Sequence, residues 1–222
     1  MDYNFETMKA EIIDQCPICR GASLTCECHR KFSMMRRRVL SGVPLRRLYV
    51  DIKDVVDPKY AKQRKQIEEY IVNLEDNIKK GRGLYIFGPD ASGKSYLSIC
   101  VLNAASNNHS VMFVTRDKIM ADIFAMGKDH MEQYVMSISK VDMLCLDNAT
   151  FCYRTGREDL SFADYTYGRI MLERYNNMKP TITVSDKNLL DFKAYAKDRK
   201  IPLSPFEEGD LEVVSCARKG KI

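Results

Sequence analysis

The chain has 222 residues, 45% of them hydrophobic and 29% charged, with a net charge of +5. That balance excludes a disordered chain and fits one ordinary globular domain with a small appendage. No apolar run approaches the ~20 residues of a membrane span, and MDYNFETMKAEIID lacks the basic start and apolar core of a signal peptide. A cytoplasmic location is therefore expected.

Residues 1 to about 30 hold four of the eight cysteines: Cys16, Cys19, Cys26 and Cys28. Without a secretion signal, a disulfide framework is not expected. The spacing C-x2-C-x6-C-x-C supplies four thiolates within a short segment, enough for a closed tetrahedral zinc site whose metal would supply the segment's folding energy. An iron–sulfur cluster and free thiols are the alternatives. His29 could replace one thiolate, but four sulfurs already suffice. Cys100 and Cys145 lie in apolar surroundings and read as small core residues, while Cys152 and Cys216 are dispersed.

A basic stretch follows to about residue 48. Arg30, Lys31, Arg36, Arg37, Arg38, Arg46 and Arg47 succeed one another with no acid between them. Such a block favours a polyanion such as nucleic acid, with Arg36, Arg37, Arg38, Arg46 and Arg47 the expected nucleic-acid or partner contacts. A solvated helix face or linker is the other reading.

From Lys59 to Lys80, Ile67, Tyr70, Ile71, Leu74 and Ile78 recur at helical steps, and Gly81-Arg82-Gly83 stops the helix. The chain then alternates. LYIF (84–87) predicts a buried strand, followed by a Gly-rich turn and a helix to about Ala105. SVMFVT (110–115), VDMLCL (141–146) and TITVS (181–185) predict three more strands, with a helix over 162–178 before the last. Met120, Met126, Met131 and Met136 read as core packing, with a partner surface as the alternative. The pattern implies an α/β fold, a parallel sheet with helices on its faces. Three parts are expected: a cysteine module with the basic stretch over 1–48, a linker and amphipathic helix over 49–80, and a phosphate-loop domain over 81–222.

GPDASGKS (88–95) fits G-x-x-x-x-G-K-[ST], with a strand before it and a helix after it. Loop N–H groups and a helix N-terminus would converge on phosphate oxygens. Gly88, Pro89, Asp90, Ala91, Ser92, Gly93, Lys94, Ser95 and Tyr96 form the expected nucleotide site. Lys94 would neutralise the β- and γ-phosphates and Ser95 would ligate magnesium. Asp90 suits this site only if it points outward. Asp147 ends the strand expected beside the loop, which places its carboxylate toward the magnesium. The next residue, where an ATPase usually carries a second acid, is Asn148.

With these pieces, the chain resembles the DnaC/DnaI-type replicative helicase loaders and the related IstB transposition ATPases of the AAA+ class. The cysteine module, GRGLYIFGPDASGKSYLSICVLN, KVDMLCLDNA and LERYNNMKPTITVSD carry the resemblance. It implies ATP bound between neighbouring subunits of a homo-oligomer, a replicative helicase engaged through the N-terminal part, and delivery onto single-stranded DNA. The small size would suit a phage or plasmid version acting in host cytoplasm. Two departures stand out: Asn148 replaces the second acid, and Asp186 stands where the family has a sensor Asn. Either the exchanged pair preserves slow hydrolysis, or the site is an ATP-binding switch, or the alignment at Asp186 is shifted by a residue. Slow hydrolysis or binding alone is favoured over vigorous turnover. For the arginine finger, Arg169, Arg174, Arg199 and Arg218 are candidates, Arg174 first, with surface ion pairs as their other fate. The rival functions are an IstB-like ATP-switch scaffold that recruits a transposase, and a metabolic phosphate-loop kinase, for which no acceptor site or lid is visible.

Overall fold

A computed structural model of the chain describes residues 4–150, 157–207 and 211–216. Near the N-terminus, α1 (Phe5–Lys9) widens into π-helical turns over Ala10–Asp14, and α2 (Glu27–Leu40) follows the cysteines. Short 3-10 turns lead to α3 (Ala61–Val72) and α4 (Leu74–Lys79). Then come β1 (Gly83–Phe87), α5 (Lys94–Ala105), β2 (Val111–Thr115), α6 (Arg116–Met126), α7 (Met131–Ser139) and β3 (Met143–Asp147). The chain continues as α8 (Arg157–Asn176), β4 (Thr181–Ser185), α9 (Leu189–Asp198), α10 (Ser204–Glu207) and β5 (Leu211–Ser215).

The five strands form one parallel sheet in the order β2-β3-β4-β1-β5. Side chains alternate across it. Leu84, Ile86, Cys145, Ile182 and Val184 join the core on the α5 side, while Tyr85, Leu144 and Leu146 join a second core with Tyr167, Ile170 and Phe192. Both faces are thus covered, as a parallel sheet requires. Cys100 and Cys145 are buried. Met120 is buried and Met131 packs against the second core, whereas Met126 and Met136 are exposed. No described helix is long and apolar enough to cross a membrane.

Three features depart from expectation. The helix expected over 59–80 breaks at Asn73, whose amide donates to the Glu69 carbonyl at 2.9 Å and so competes with the helical ladder. β5, in LEVVS, went unread because a glutamate interrupts a short apolar run. The expected boundary at residue 48 falls inside a shared core: Met8, Met35, Val43 and Leu48 pack in the same cluster as α5 and the sheet.

The sheet edges are closed. Along β2, Phe113 donates its N–H to the Ser41 carbonyl at 2.7 Å. Along β5, Gln63 donates to the Ser215 carbonyl at 2.6 Å. Such covers prevent edge-to-edge pairing. The β2 cover depends on Gly42, which sits at φ +82, where an added Cβ would lie 2.5 Å from the Phe113 carbonyl oxygen. Gly42→Ala should therefore cost about 1–3 kcal/mol, read as a lowered urea midpoint. An unchanged midpoint would mean that the 41–48 segment is not held against β2.

Candidate functional site

The loop between β1 and α5 opens at the C-terminal ends of the strands, where parallel sheets bind ligands. Gly93 caps α5 at φ +88, and Gly88 passes so close to Cys216 that an added Cβ would lie 2.8 Å from its backbone. Ala91 also adopts a left-handed conformation, at φ +57. Lys94 is 8% exposed, and its ammonium donates to the carbonyls of Gly88 and Pro89 at 2.6 Å each. Asp90 is exposed, clear of the loop interior. The Ser92 hydroxyl oxygen is buried with no partner among the described residues. A buried polar atom of this kind wants a partner, and a phosphate oxygen would satisfy it.

Asp147 ends β3 and is 6% exposed. Burial holds its carboxyl above the ordinary range, opposed by hydrogen bonds from the Ser95 hydroxyl and the Asn148 N–H. Ser95 and Asp147 thus lie beside each other, and they are the residues that would hold magnesium. Arg47 is half-buried, and its carbonyl accepts from the Asn103 amide of α5 at 3.1 Å. Asn148 follows in a left-handed turn at φ +56, with its side chain exposed. On the next strand, Asp186 is exposed and accepts a hydrogen bond from Thr150, whose hydroxyl oxygen is also 3.2 Å from that of Ser185. The two exchanged residues therefore each follow the last residue of adjacent strands.

Beside the loop lies a cavity of about 390 Å³ lined by Val55, Val56, Tyr60, Gly93, Tyr96 and Leu97, among others. Of these, sequence reasoning singled out only Gly93 and Tyr96. Val55, Val56 and Tyr60 sit in short turns and irregular chain with no periodic signal, and Leu97 lies on α5.

The basic block divides. Arg38 is 7% exposed and donates to the Leu48 carbonyl at 2.5 Å, the Asn103 carbonyl at 3.0 Å and the Ser106 hydroxyl at 3.0 Å. It joins α2 to α5 and is not a nucleic-acid contact, which corrects the expectation for that residue. Arg36 lies over the Phe5 ring. Arg37 is exposed and lines a groove of about 820 Å³ together with Arg30, Lys31, Tyr49, Lys53 and Asn107. Arg46 is exposed.

Arg174 is a second correction. It is fully buried and donates to the Thr181 hydroxyl and to the carbonyls of Ser139, Val141 and Pro180. These partners lie just before β3 and at the start of β4, the opposite end of the sheet from the phosphate loop, so Arg174 braces that end of the sheet. Burial draws its pKa down to about 9. Arg169 pairs with Glu132 and Arg199 with Asp164. Arg218 and Cys152 lie outside the described residues.

The four N-terminal sulfurs lie within 4.8 Å of one another. Cys16 and Cys26 are 3.8 Å apart, and Cys19 and Cys28 3.4 Å. A tetrahedral zinc with bonds of about 2.3 Å needs sulfurs near 3.8 Å apart, so the donors fit. Cys26 caps α2 and Cys28 lies in its first turn. Backbone N–H groups of Cys19 and Ile18 draw Cys16 down to about 6, while burial and the neighbouring sulfurs push Cys28 up to about 12. Such an array resists full ionisation until a dication joins it. We expect one zinc per chain by elemental analysis. Cys19→Ser should at least halve that content and lower the melting temperature. Full zinc retention in that variant would exclude the four-sulfur site.

Comparison with known proteins places the fold. No family model matches the chain, and neither does any curated protein. Among solved structures, DnaI is similar with a TM-score of 0.60 and 20% identity, over 78% of this chain and 93% of that one. The DnaC helicase loader is similar with a TM-score of 0.58 and 20% identity, over 77% of this chain and 99% of that one. The replication initiator DnaA, bound to AMPPCP and single-stranded DNA, gives 0.57 and 20% over 74% of this chain; the match spans 49% of the DnaA chain. The resemblance read from the motifs holds at the level of the fold: this chain shares the fold of the DnaC and DnaI structures.

Proposed function

We propose that this protein binds ATP and magnesium at the loop and uses them as a switch in loading a replicative ring helicase onto single-stranded DNA, in the cytoplasm. The observation that carries this reading is the pairing of Ser95 with Asp147 beside a loop braced by Lys94. It stands in a fold shared with DnaI and the DnaC helicase loader, and DnaA, similar over 49% of its chain, is bound to AMPPCP and single-stranded DNA.

In this reading, Lys94 exchanges the loop carbonyls for phosphate oxygens, and Ser95 and Asp147 hold the metal, which neutralises charge on the β- and γ-phosphates. The slot between Val55, Val56, Tyr60 and Tyr96 receives the base. Asn148 can donate to the γ-phosphate or to water but cannot take a proton. Asp186 could, yet it already accepts from Thr150. Loss of a positioned base costs about 10²–10⁴-fold in rate, so ATP is held far longer than it is split. The zinc module would engage the helicase. The groove lined by Arg30, Lys31, Arg37, Lys53 and Tyr49 offers cations for phosphates and a ring for a base, which suits a single strand. Assembly as a homo-oligomer on DNA or helicase completes the scheme.

Purified protein should bind ATP with turnover slower than about 1 per minute. Lys94→Ala should abolish binding, and Asn148→Asp should raise turnover about tenfold or more. Phosphate release with and without single-stranded DNA reads all three. Fast turnover by the wild type would overturn the switch. ATP-dependent retention of a replicative helicase, together with salt-sensitive binding of single strands that weakens in Arg30→Glu/Arg37→Glu, would support loading. Filaments on duplex DNA without helicase retention would replace it with the transposition scaffold.

A further inference from the structure

A buried ion cluster lies on the face of the sheet away from α5. Arg116, the first residue of α6, is 1% exposed, and Asp164 of α8 is 3% exposed. They form an ion pair, and Asp164 also accepts from Arg199, the residue after α9, at 2.8 Å. The Arg116 guanidinium sits over the rings of Tyr167 and Tyr195 and donates to the Tyr195 hydroxyl at 2.5 Å. Burying charges in this way is costly unless the geometry serves every donor. Two arginines share one carboxylate here, so the cluster holds more positive than negative charge.

Arg116 has one further partner, the carbonyl of Ala149, at 2.9 Å. Ala149 is the residue after Asn148, and its N–H donates to the Val184 carbonyl of β4 at 2.9 Å. Residue 149 is therefore held at both backbone groups, from β4 on one side and from the ion cluster on the other. On its other side, Asn148 donates its N–H to the Asp147 carboxylate at 3.0 Å. Between these anchors Asn148 adopts φ +56, a conformation that costs a side-chain-bearing residue free energy and persists only when its surroundings impose it.

The geometry points to Arg116 as a positioning residue for recognition of the γ-phosphate. It grips the Ala149 carbonyl and so fixes the left-handed turn that aims the Asn148 amide past Asp147 into the nucleotide cleft. This rests on the ATP-site reading above. With the carbonyl released, the turn relaxes toward the right-handed or extended region and the amide swings away. The loop, Lys94 and Ser95, which hold the first two phosphates, are untouched. The device thus bears on ATP and not on ADP.

The test is calorimetric titration of the full-length, zinc-loaded protein with Mg-ATP and Mg-ADP. The wild type should prefer ATP. Asn148→Gly, which keeps the turn and removes the amide, should lower the ATP/ADP affinity ratio about tenfold, the scale of one hydrogen bond to a charged group. Arg116→Met should lower the ratio equally with ADP affinity unchanged, and the double variant should lower it no further. Arg116→Lys, which keeps a buried charge for Asp164 but lacks the fork to serve both partners, should behave alike and covers the case in which Arg116→Met fails to fold. Asp164→Asn should lower the melting temperature and leave the ratio intact. A wild-type ratio in the Arg116 variants, an equal loss for both nucleotides, or additive effects in the double variant would overturn the proposal, as would a wild type that binds ATP and ADP equally. Binding of neither nucleotide by the wild type would instead overturn the ATP-site reading on which it rests.

Discussion

The structure depends on burying α5. A helix that receives phosphate at its N-terminus must stand against the sheet with its first turn free, but α5 is apolar almost all round. Nine of its twelve residues are buried, and a helix of that kind has no solvent face to offer. The sheet covers one side through Cys145, Ile182 and Val184. The remainder is covered by chain that precedes the loop: Met35 of α2, Leu48, Ile52, and Ile67 of α3. The N-terminal region therefore serves two ends. Its cysteines form a separate small cluster, while the helix that follows them is part of the wall around α5, tied there by Arg38. A ligand change at one end of α5 and a contact made by α2 at the other act on the same packed unit.

Much of this was legible, because the strands are short apolar runs and the phosphate loop carries its own punctuation. Four of five strands, the loop, the Ser95–Asp147 meeting and the cysteine cluster follow from spacing and period. What was illegible has common physical causes. Three consecutive arginines look like one surface feature, yet residues on a helix turn by about 100° each. Arg38 lies three positions after Met35, on the stripe that faces α5, so it turns inward while Arg36 and Arg37 do not. The slot of Val55, Val56 and Tyr60 is built from 3-10 turns and irregular chain, which leave no periodic trace. Its residues become a site only because the chain folds back past Gly93.

Buried arginines explain the other misreadings. Arg174 read as an arginine finger or a surface ion pair, but it is enclosed and spreads its fork over backbone carbonyls where the chain leaves regular structure; Arg116, which carried no sequence signal, is enclosed too and gives one donor to the Ala149 carbonyl. Strand ends and turns expose carbonyls that no ladder reaches. A guanidinium, with five donors in a fixed plane, can serve several of them at once. Arg174 does this at the start of β4, while Arg116 reaches a single carbonyl at the turn beyond β3. Composition and charge spacing cannot separate such an arginine from a solvated one, because the partners are main-chain atoms remote in sequence.

The turn after Asp147 bears on why an amide stands where an acid is usual. A left-handed residue there admits Asn or Asp with little strain, and longer side chains less readily, so the backbone alone does not choose between the two. The electrostatics favour one. Asp147 is buried and its carboxyl is already pushed toward the neutral form. A second carboxylate on the adjacent residue would push it further, because like charges in a poorly solvated site cannot both ionise easily. Asn148 removes that repulsion and contributes its N–H to the Asp147 oxygen. Within the proposed function, the exchange keeps Asp147 ready to hold a metal and surrenders the proton acceptor that hydrolysis would use. Strong retention and slow splitting then share one cause, as a nucleotide that times an assembly requires.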